Sequence, residues 1–377
     1  MDRKRILIVS ASFYPQISPR AFRTTELAKE FARRGHEVVV LIPFKGYDYS
    51  DYAKENKLII KNLGDLRFPD IKLKGGRLQL LFRRGIRRML SLLFEYPDIE
   101  LMFLVSRHLK LEKGFDLLIS IAVPYPIHWG VAKARTVNNR IAKTWIADCG
   151  DPYMGCTTDS FKKFFYFKYI EKWHSRKCDY ITIPFDTLRD KFYPEFHEKL
   201  VVIPQGFKIE EIKLSEVVNN KVPTFAFAGS IIPGIRDLNL FFEFLKEIKS
   251  EYKFVVYTRQ TDYFIKYKSC FKEHLEIKEY LPRLQLLYEL SKCDFLVNVD
   301  TIYDCQSVNT AFPSKLIDYS FTGRPILNIC SNLIDKAAVI KFLSGNYENR
   351  RRVNNNNYKI EVVAASFFEL SDISKPC

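Results

Sequence analysis

The sequence has no apolar stretch long enough to cross a membrane, since none approaches about 18 consecutive uncharged residues. Its first apolar run, residues 6–9, is far too short for the hydrophobic region of a signal peptide. The eight cysteines include no C-x-x-C pair and no histidines accompany them at zinc-ligand spacing. We therefore expect a protein with reduced thiols, located in the cytoplasm or on the inner face of the cell membrane.

Acidic residues are in deficit, because 44 Asp and Glu stand against 59 Lys and Arg and give a formal net charge of +15. This balance indicates an anionic partner: nucleic acid, a membrane surface or a phosphorylated substrate. No recognisable nucleic-acid-binding motif is present, so a basic nucleic-acid-binding protein stays only as an alternative. No G-x-G-x-x-G follows the first strand of either half, which argues against an NAD-dependent oxidoreductase.

Short apolar runs alternate with helical periodicity along most of the 377 residues, a length that fits two domains. This alternation is typical of parallel sheets covered by helices on both faces. It stops in a polar stretch at residues 205–222 and then restarts. We predict an α/β protein with two tandem Rossmann-like, doubly wound domains, at residues 1–205 and 206–350, followed by a tail helix in residues 351–377.

One stretch, AFPSKLIDYSFTGRPIL at residues 311–327, combines the features of an anion site. Pro313 suits the first position of a helix, whose free amides at Ser314 and Lys315 bind anions. Asp318 lies one turn further along, and Gly323 ends the helix. The arrangement suits a diphosphate at the helix end and a ribose on the acid. The alternative is an ordinary amphipathic helix with a solvated lysine and aspartate.

Several motifs, in order along the chain, resemble the bacterial family-four glycosyltransferases of the GT-B fold. They are SFYP, FARRGHEVVVL, EYPD, WIADCGDPY, LVVIPQGF, FAFAGSI and PSKLIDYSFTGRPIL. The resemblance implies a retaining transferase without metal or cofactor, which moves a sugar from a nucleotide-diphosphate donor to a glycan or polyprenyl-linked acceptor in surface polysaccharide or capsule assembly. It also implies that the first domain binds the acceptor and the second the donor, with the active site in the cleft between them. A GT-B sugar-nucleotide epimerase is the nearest rival.

The resemblance assigns donor contacts in the second domain. Lys315 and Asp318 match the family's lysine and acid before the glycine, although the family commonly has glutamate at the acid. The family's other glutamate would fall at Thr310, where Ser307 or Asn309 are possible substitutes.

Further donor contacts are expected at the ends of two strands. Gly229 and Ser230 follow the first strand of the second domain, where a small residue lets the backbone approach phosphate. Arg236 and Arg259 follow two successive strands and could each direct two N–H groups at phosphate oxygens. We expect Lys315 and Arg236 to act catalytically by stabilising the leaving diphosphate. The alternative for either arginine is an ordinary surface position.

In the first domain the resemblance points to His128 as a catalytic residue that touches the transferred sugar, against the alternative of a structural histidine. Asp148 and Asp151, in a variant of the family's D-x-R-D-P-W motif, either orient the acceptor or brace the loop. The turn SFYPQISPRAFR lacks the paired glycines usual in the family, and its Arg20 and Arg23 could contact the acceptor or the donor phosphate instead.

The longest basic segment, residues 77–94, is two-faced on a helix, with apolar residues on one side and five arginines on the other. This pattern is typical of an interfacial helix lying among anionic lipid headgroups. The alternative is a helix packed on the core with a solvated basic face. The expected partners are therefore a nucleotide sugar, a glycan or lipid-linked acceptor and an anionic membrane surface, without nucleic acid.

Overall fold

A computed structural model describes residues 2–156, 162–209, 212–216, 220–300 and 314–372. The chain forms two compact units, which we call unit 1 (Met1–Phe207 with Ile360–Cys377) and unit 2 (Lys208–Lys359). None of the helices in these ranges combines the length and apolar content needed to span a bilayer. Among the cysteines of these ranges, Cys149, Cys178 and Cys293 are buried and form no disulfide.

Unit 1 contains a seven-stranded parallel sheet in the order β3-β2-β1-β4-β5-β6-β7. Its central strands are apolar along their length because helices cover both faces, and Ile6, Ile8 and Ile119 are fully buried. The strands are β1 (Arg5–Ser10), β2 (Glu37–Ile42), β3 (Ile59–Asn62), β4 (Phe115–Ala122), β5 (Ala142–Cys149), β6 (Tyr180–Ile183) and β7 (Leu200–Val202). The helices are α1 (Pro19–Arg33), α2 (Ser50–Glu55), α3 (Arg77–Phe94), α4 (Glu100–Leu109), α5 (Pro126–Ala134) and α6 (Phe167–Lys177).

Unit 2 contains a five-stranded parallel sheet in the order β10-β9-β8-β11-β12. The strands are β8 (Thr224–Ala228), β9 (Lys253–Thr258), β10 (Leu275–Glu279), β11 (Phe295–Asp300) and β12 (Ile326–Cys330). The helices are α7 (Asn239–Glu247), α8 (Thr261–Phe271), α9 (Arg283–Leu290), α10 (Ser314–Phe321) and α11 (Lys336–Leu343). The order reverses between β8 and β11, and such a switch point opens a crevice at the carboxyl ends of the strands. The prediction of two tandem doubly wound domains is therefore confirmed.

The last helix, α12 (Ile360–Asp372), returns to unit 1. Its Phe368 ring lies 4.9 Å from that of Phe31 on α1. The amide of Ile360 donates to the carbonyl of Phe207 at 3.0 Å, where the chain leaves unit 1. Unit 2 is thus inserted between two segments of unit 1, and the predicted tail helix is part of the first core.

Candidate functional site

The candidate donor site of unit 2 is built on the contact between α10 and the end of β8. Tyr319 on α10 accepts a hydrogen bond at its hydroxyl from the amide of Ala228 at 2.7 Å. Because β11 pairs with β8 only as far as Ala226, the Tyr319 hydroxyl takes the place of a backbone acceptor from β11 for the amide of Ala228. Lys315 lies one turn before Tyr319 on the same face of the helix. The Tyr319 hydroxyl therefore fixes Lys315 beside the end of the strand.

Gly229 follows β8 and lies next to the lysine. It has a φ of +139°, a conformation that favours glycine. A Cβ at this position would lie 3.9 Å from Cδ of Lys315 and 4.0 Å from its Nζ. Ser230 comes next and is exposed. The backbone of Gly229 and the ammonium of Lys315 thus meet at the carboxyl edge of the sheet, as the sequence predicts for a phosphate site.

The ammonium of Lys315 is buried and has no hydrogen-bond partner among the residues the structure describes. It lies 4.4 Å from the centre of the Phe227 ring. Burial, together with the positive charge of Arg236, lowers the pKa of Lys315 to about 7, and Asp300 opposes both effects. A buried ammonium without a partner is costly, and an anionic ligand would relieve that cost.

Arg236 is close enough to Lys315 to act on its charge, and it sits in a fixed loop. The amide of Arg236 donates to the carbonyl of Ile232 at 2.7 Å. The next residue, Asp237, donates through its amide to Ser331 Oγ at 2.9 Å. The side chain of Gln260 accepts from the amide of Ile231 at 2.6 Å and donates to its carbonyl at 3.2 Å. The loop therefore presents a second cation beside Lys315 at little entropic cost.

Asp318 faces another arginine, which sequence reasoning did not single out. Arg283, at the start of α9, donates from Nη2 and Nε to Oδ1 of Asp318 at 2.7 and 2.9 Å, so Oδ2 receives neither bond. Burial raises the pKa of Asp318, and Arg283 counteracts that rise. Arg259 lies 5.3 Å from the centre of the Tyr280 ring. Burial raises the pKa of Tyr280, Asp318 raises it further, and Arg259 and Arg283 lower it. Arg259 therefore lies in the group around Asp318.

The start of the predicted anion-binding helix is only partly visible. Ser314 is the first residue of α10, and Gly323 follows its end with a φ of +70°, so the predicted helix stop is confirmed. Pro313 and the positions around the family's missing glutamate, Ser307, Asn309 and Thr310, lie outside the described residues.

A polar cluster at the ends of β11 and β12 completes the described edge of unit 2. Asp300, which is buried, accepts hydrogen bonds from the side-chain amides of Asn298 and Asn328. Asn298 pairs with Asn328 in the strand register. These residues were missed by sequence reasoning, although two polar residues in the otherwise apolar run FLVNVD were a visible signal. The cluster holds one carboxylate near Lys315 and fixes its orientation.

In unit 1 Arg23 and Asp148 form a buried ion pair. Arg23 Nη2 lies 2.8 Å from Oδ1 and Nε lies 3.2 Å from Oδ2, and the side chains are 3% and 4% exposed. Burial alone would raise the pKa of Asp148, but Arg23, Arg20 and hydrogen bonds, including one from Thr182, lower it overall. Arg23 also donates to the carbonyls of Ile203 and Pro204. The geometry favours the bracing alternative for Asp148, and Arg23, which was expected to contact the acceptor or the donor phosphate, is its buried partner.

Arg20 explains a departure from the family motif. Its guanidinium contacts Asp148 at 3.5 Å, and a Cβ at Gly150 would lie 2.2 Å from the guanidinium carbon. Gly150 stands where the family has arginine, so Arg20 occupies the space that a side chain there would need. Asp151 follows, is exposed, and its carbonyl accepts a bond from the hydroxyl of Tyr125 at 2.6 Å. Arg20 and Asp151 remain candidates for contact with an acceptor.

His128 is fully enclosed in unit 1. Its Nδ1 lies 2.7 Å from Ser120 Oγ, which also accepts from Trp145 Nε1, and its Nε2 lies 3.5 Å from Cys149 Sγ. Burial lowers the pKa of His128 well below its usual range, and the nearby His174 adds to this effect, so the ring is neutral. Contact with a sugar in this position would require movement of the surrounding core. The geometry thus favours the structural alternative.

Helix α3 has no buried residue in the structure. Leu78 is 83% and Phe82 71% exposed, while Arg87 pairs with Asp70 at 3.4 Å and Arg83 donates to two backbone carbonyls. Leu78 and Phe82 therefore do not pack on the core, whereas Ile86, Leu90 and Leu93 of the same face are half-buried.

No protein-family model and no curated protein matches the chain. Solved structures do. A glycosyltransferase from Rickettsia africae superposes with a TM-score of 0.62 at 11% identity, covering 99% of this chain and 100% of that one. The Anabaena protein HepE in complex with UDP-glucose gives 0.54 at 11% identity, over 98% and 96% of the two chains. The lipopolysaccharide outer core galactosyltransferase WaaB gives 0.55 at 11% identity, over 98% and 96%.

The fold is GT-B. At this identity the likeness concerns the fold, and it covers nearly the full length of each chain compared.

Proposed function

We propose that the protein is a glycosyltransferase that moves a sugar from a nucleotide-diphosphate donor to a glycan or polyprenyl-linked acceptor. The observation that carries this proposal is the buried Lys315 ammonium, which has no hydrogen-bond partner in the described part of the chain and lies beside Gly229 at the switch point of unit 2. A diphosphate supplies the missing anion. The likeness in fold to solved glycosyltransferases supports the same reaction class, and the motif resemblance supports a place in surface polysaccharide assembly.

In this proposal unit 2 binds the donor. Lys315 and Arg236 contact the diphosphate, together with the Gly229 amide edge, Ser230 and the first amides of α10 at Ser314. Asp318 accepts hydrogen bonds from the ribose hydroxyls through the carboxylate oxygen that Arg283 does not use. Arg259 lies beside Asp318 and contributes positive charge to the same part of the donor.

Catalysis follows from the charge that develops as the glycosidic bond of the donor breaks. The leaving diphosphate gains negative charge, and the two cations stabilise it more strongly than they stabilise the bound donor. The sugar passes through an oxocarbenium-like state, and the acceptor hydroxyl attacks its anomeric carbon from the face that the nucleotide leaves, with retention. The proton of that hydroxyl passes to the leaving diphosphate. Because Lys315 and Arg236 supply the positive charge, this chemistry needs no metal ion.

Unit 1 binds the acceptor in this proposal. Arg20 and Asp151 face the acceptor, whereas Arg23 and Asp148 hold the loop that carries Asp151. His128 acts as a positioning residue, since it ties β4, β5 and α5 together through Ser120 and Cys149. A polar brace of this kind keeps the acceptor loop in a single conformation.

Helix α3 docks on an anionic membrane surface, where lipid-linked acceptors reside. Its apolar side is exposed and its arginines suit acidic headgroups, each basic residue contributing about 1 kcal/mol. We call the change of four of these arginines to glutamine the α3 variant. The four substitutions are Arg83→Gln, Arg84→Gln, Arg87→Gln and Arg88→Gln.

The proposed function is tested by thermal shift of the full chain against a panel of nucleotide diphosphates and their sugars. Uridine compounds come first, because HepE was crystallised with UDP-glucose. At least one compound should stabilise the parent, and Lys315→Met should lose that effect. Lys341→Met is the matched control, since Lys341 is an exposed lysine on α11 of the same unit. Binding that is equal in the parent and in Lys315→Met would overturn the proposal, as would a panel without any binder.

A further inference from the structure

Unit 2 has a second basic region where β12 begins, at the opposite end of the strands from Gly229 and Lys315. A cavity of about 520 Å³ adjoins the end of α10 and the start of β12, and Ser320, Gly323 and Ile326 form part of its lining. Lys315 is the second residue of the eight-residue α10, whereas Gly323 follows its last turn. Such a helix is about 12 Å long, so the cavity is separate from the ammonium of Lys315.

Four arginines and no acidic residue line this cavity. They are Arg324, Arg350, Arg351 and Arg352. Within the described ranges none of them forms an ion pair, and the hydrogen bonds of their guanidinium groups end on carbonyl oxygens. Arg324 donates to Ser291 at 2.6 Å and Arg350 to Tyr347 at 3.3 Å. Burial raises the pKa of Tyr347, and the carboxylate of Asp294 adds to that rise. This carboxylate accepts hydrogen bonds from the Thr224 amide at 2.8 Å and from the Asn220 side chain at 3.0 Å. The positive charge of the cavity is therefore not compensated by these contacts.

Residues 350–352, which we call the arginine segment, are anchored to the sheet and to α10. The amide of Arg351 donates to the carbonyl of Ile326 at 2.8 Å, where β12 begins. Asn355 donates to the carbonyl of Ser320 on α10 at 3.5 Å. Tyr347, just before the segment, packs its ring 5.2 Å from that of Phe342. The backbone that carries the arginines is thus held before any ligand arrives, which lowers the cost of binding.

We propose that this cavity is a second anion-binding site, for a small ligand that carries at least two phosphate or carboxylate groups. Its volume falls in the range of about 300 to 1,000 Å³ that is usual for small-molecule sites. Guanidinium groups match the geometry of phosphate and carboxylate oxygens, and a cleft lined by one sign of charge concentrates counter-ions. A concave cavity of this size admits a small molecule, whereas a flat membrane surface cannot enter it.

The test is isothermal titration calorimetry of the full chain with inorganic tripolyphosphate, and separately with citrate, which distinguishes phosphate from carboxylate ligands. The parent for this test carries Lys315→Met, so that anion binding at the candidate donor site does not contribute to the measured affinity. A failure of the proposed donor site, which the thermal-shift experiment tests, is therefore distinguished from a failure of this proposal. In the rim variant Arg350→Gln, Arg351→Gln and Arg352→Gln are combined. The control combines Lys110→Gln, Lys113→Gln and Lys249→Gln, three exposed lysines, which removes the same charge elsewhere. Thermal melts confirm that each protein is folded.

The rim variant should bind at least one of the two anions roughly tenfold more weakly or worse, while the control changes affinity by no more than about twofold. Equal weakening in both variants would show that only net charge matters and would overturn the proposal. The proposal also fails if neither anion binds the parent, or if the rim arginines support binding to anionic vesicles but not to either small anion.

Discussion

The buried ammonium of Lys315 predicts that donor binding takes up protons. In the free protein burial lowers the pKa of Lys315 to about 7, so close to neutral pH the side chain is present in both its charged and neutral forms. A diphosphate placed beside it favours the charged form and raises that pKa. Binding therefore draws protons from solution, and donor affinity falls as the pH rises above about 7.

The size of the effect follows from the pKa. At about pH 7 half of the Lys315 side chains are neutral, so binding takes up about 0.5 proton, and at about pH 8 the uptake rises to about 0.9. The dissociation constant should increase by about tenfold per pH unit above pH 7, as long as the pKa in the complex stays above the pH of the measurement.

The assay is calorimetric titration with the tightest-binding nucleotide sugar, in pairs of buffers that differ in ionisation enthalpy. A nucleotide sugar is used because its diphosphate has no terminal phosphate that titrates near neutral pH. Lys315→Arg is the control that keeps the charge, since an arginine stays protonated throughout, and it should remove the proton uptake. Tight binding by the parent without proton uptake at about pH 8 would refute the reasoning, as would equal uptake by Lys315→Arg.

Four further predictions follow from the same contacts. Lys315→Met should raise the free energy of urea unfolding at about pH 7 by about 2 to 4 kcal/mol, because it removes the cost of a buried ammonium. The parent escapes that cost only as the pH rises from about 7 towards 10.5, the window in which its unfolded state binds more protons and its stability increases. Parallel pH profiles of stability for the two proteins would contradict this. Asp318→Asn should weaken donor binding by about tenfold to a hundredfold, with kcat little changed, since the ribose does not react; unchanged KM for the donor in steady-state kinetics argues against the contact. The α3 variant should lose salt-dependent cosedimentation with anionic vesicles, and sedimentation equal to that of the parent would rule out the membrane contact. Transferase activity should persist in excess chelator, because Lys315 and Arg236 stabilise the leaving group; complete loss that magnesium or manganese restores would refute metal independence.

Both sheets follow from local sequence patterns. An apolar run such as RILIVS or TFAFA forms a buried strand because helices on both faces exclude water, and the helical periodicity between runs supplies those helices. The end of α10 was equally readable, since Gly323 and the following proline stop a helix for local steric reasons. The parallel alternation of strand and helix then fixed the fold class.

The candidate site was only partly predictable. The motif around Lys315 and Asp318 could be read from adjacent residues, but their partners could not. Arg283 is 35 residues from Asp318, and Arg23 is 125 residues from Asp148. Ion pairs at such separations leave no periodic signal in a single sequence. The polar pair Asn298 and Asp300 was visible, but its meaning depended on the neighbouring strand.

The sequence by itself determined the α/β class, the two sheets, the glycine that ends α10 and the basic character of the chain, because each depends on residues close together or on composition. Only the tertiary structure decided that Lys315 has a buried ammonium without a described partner, that Arg23 and Asp148 brace unit 1, and that α12 returns to the first core. It also brought the arginine segment 350–352 to the end of α10. These outcomes depend on burial and on contacts between distant segments, which arise only when the strands are ordered in their sheets.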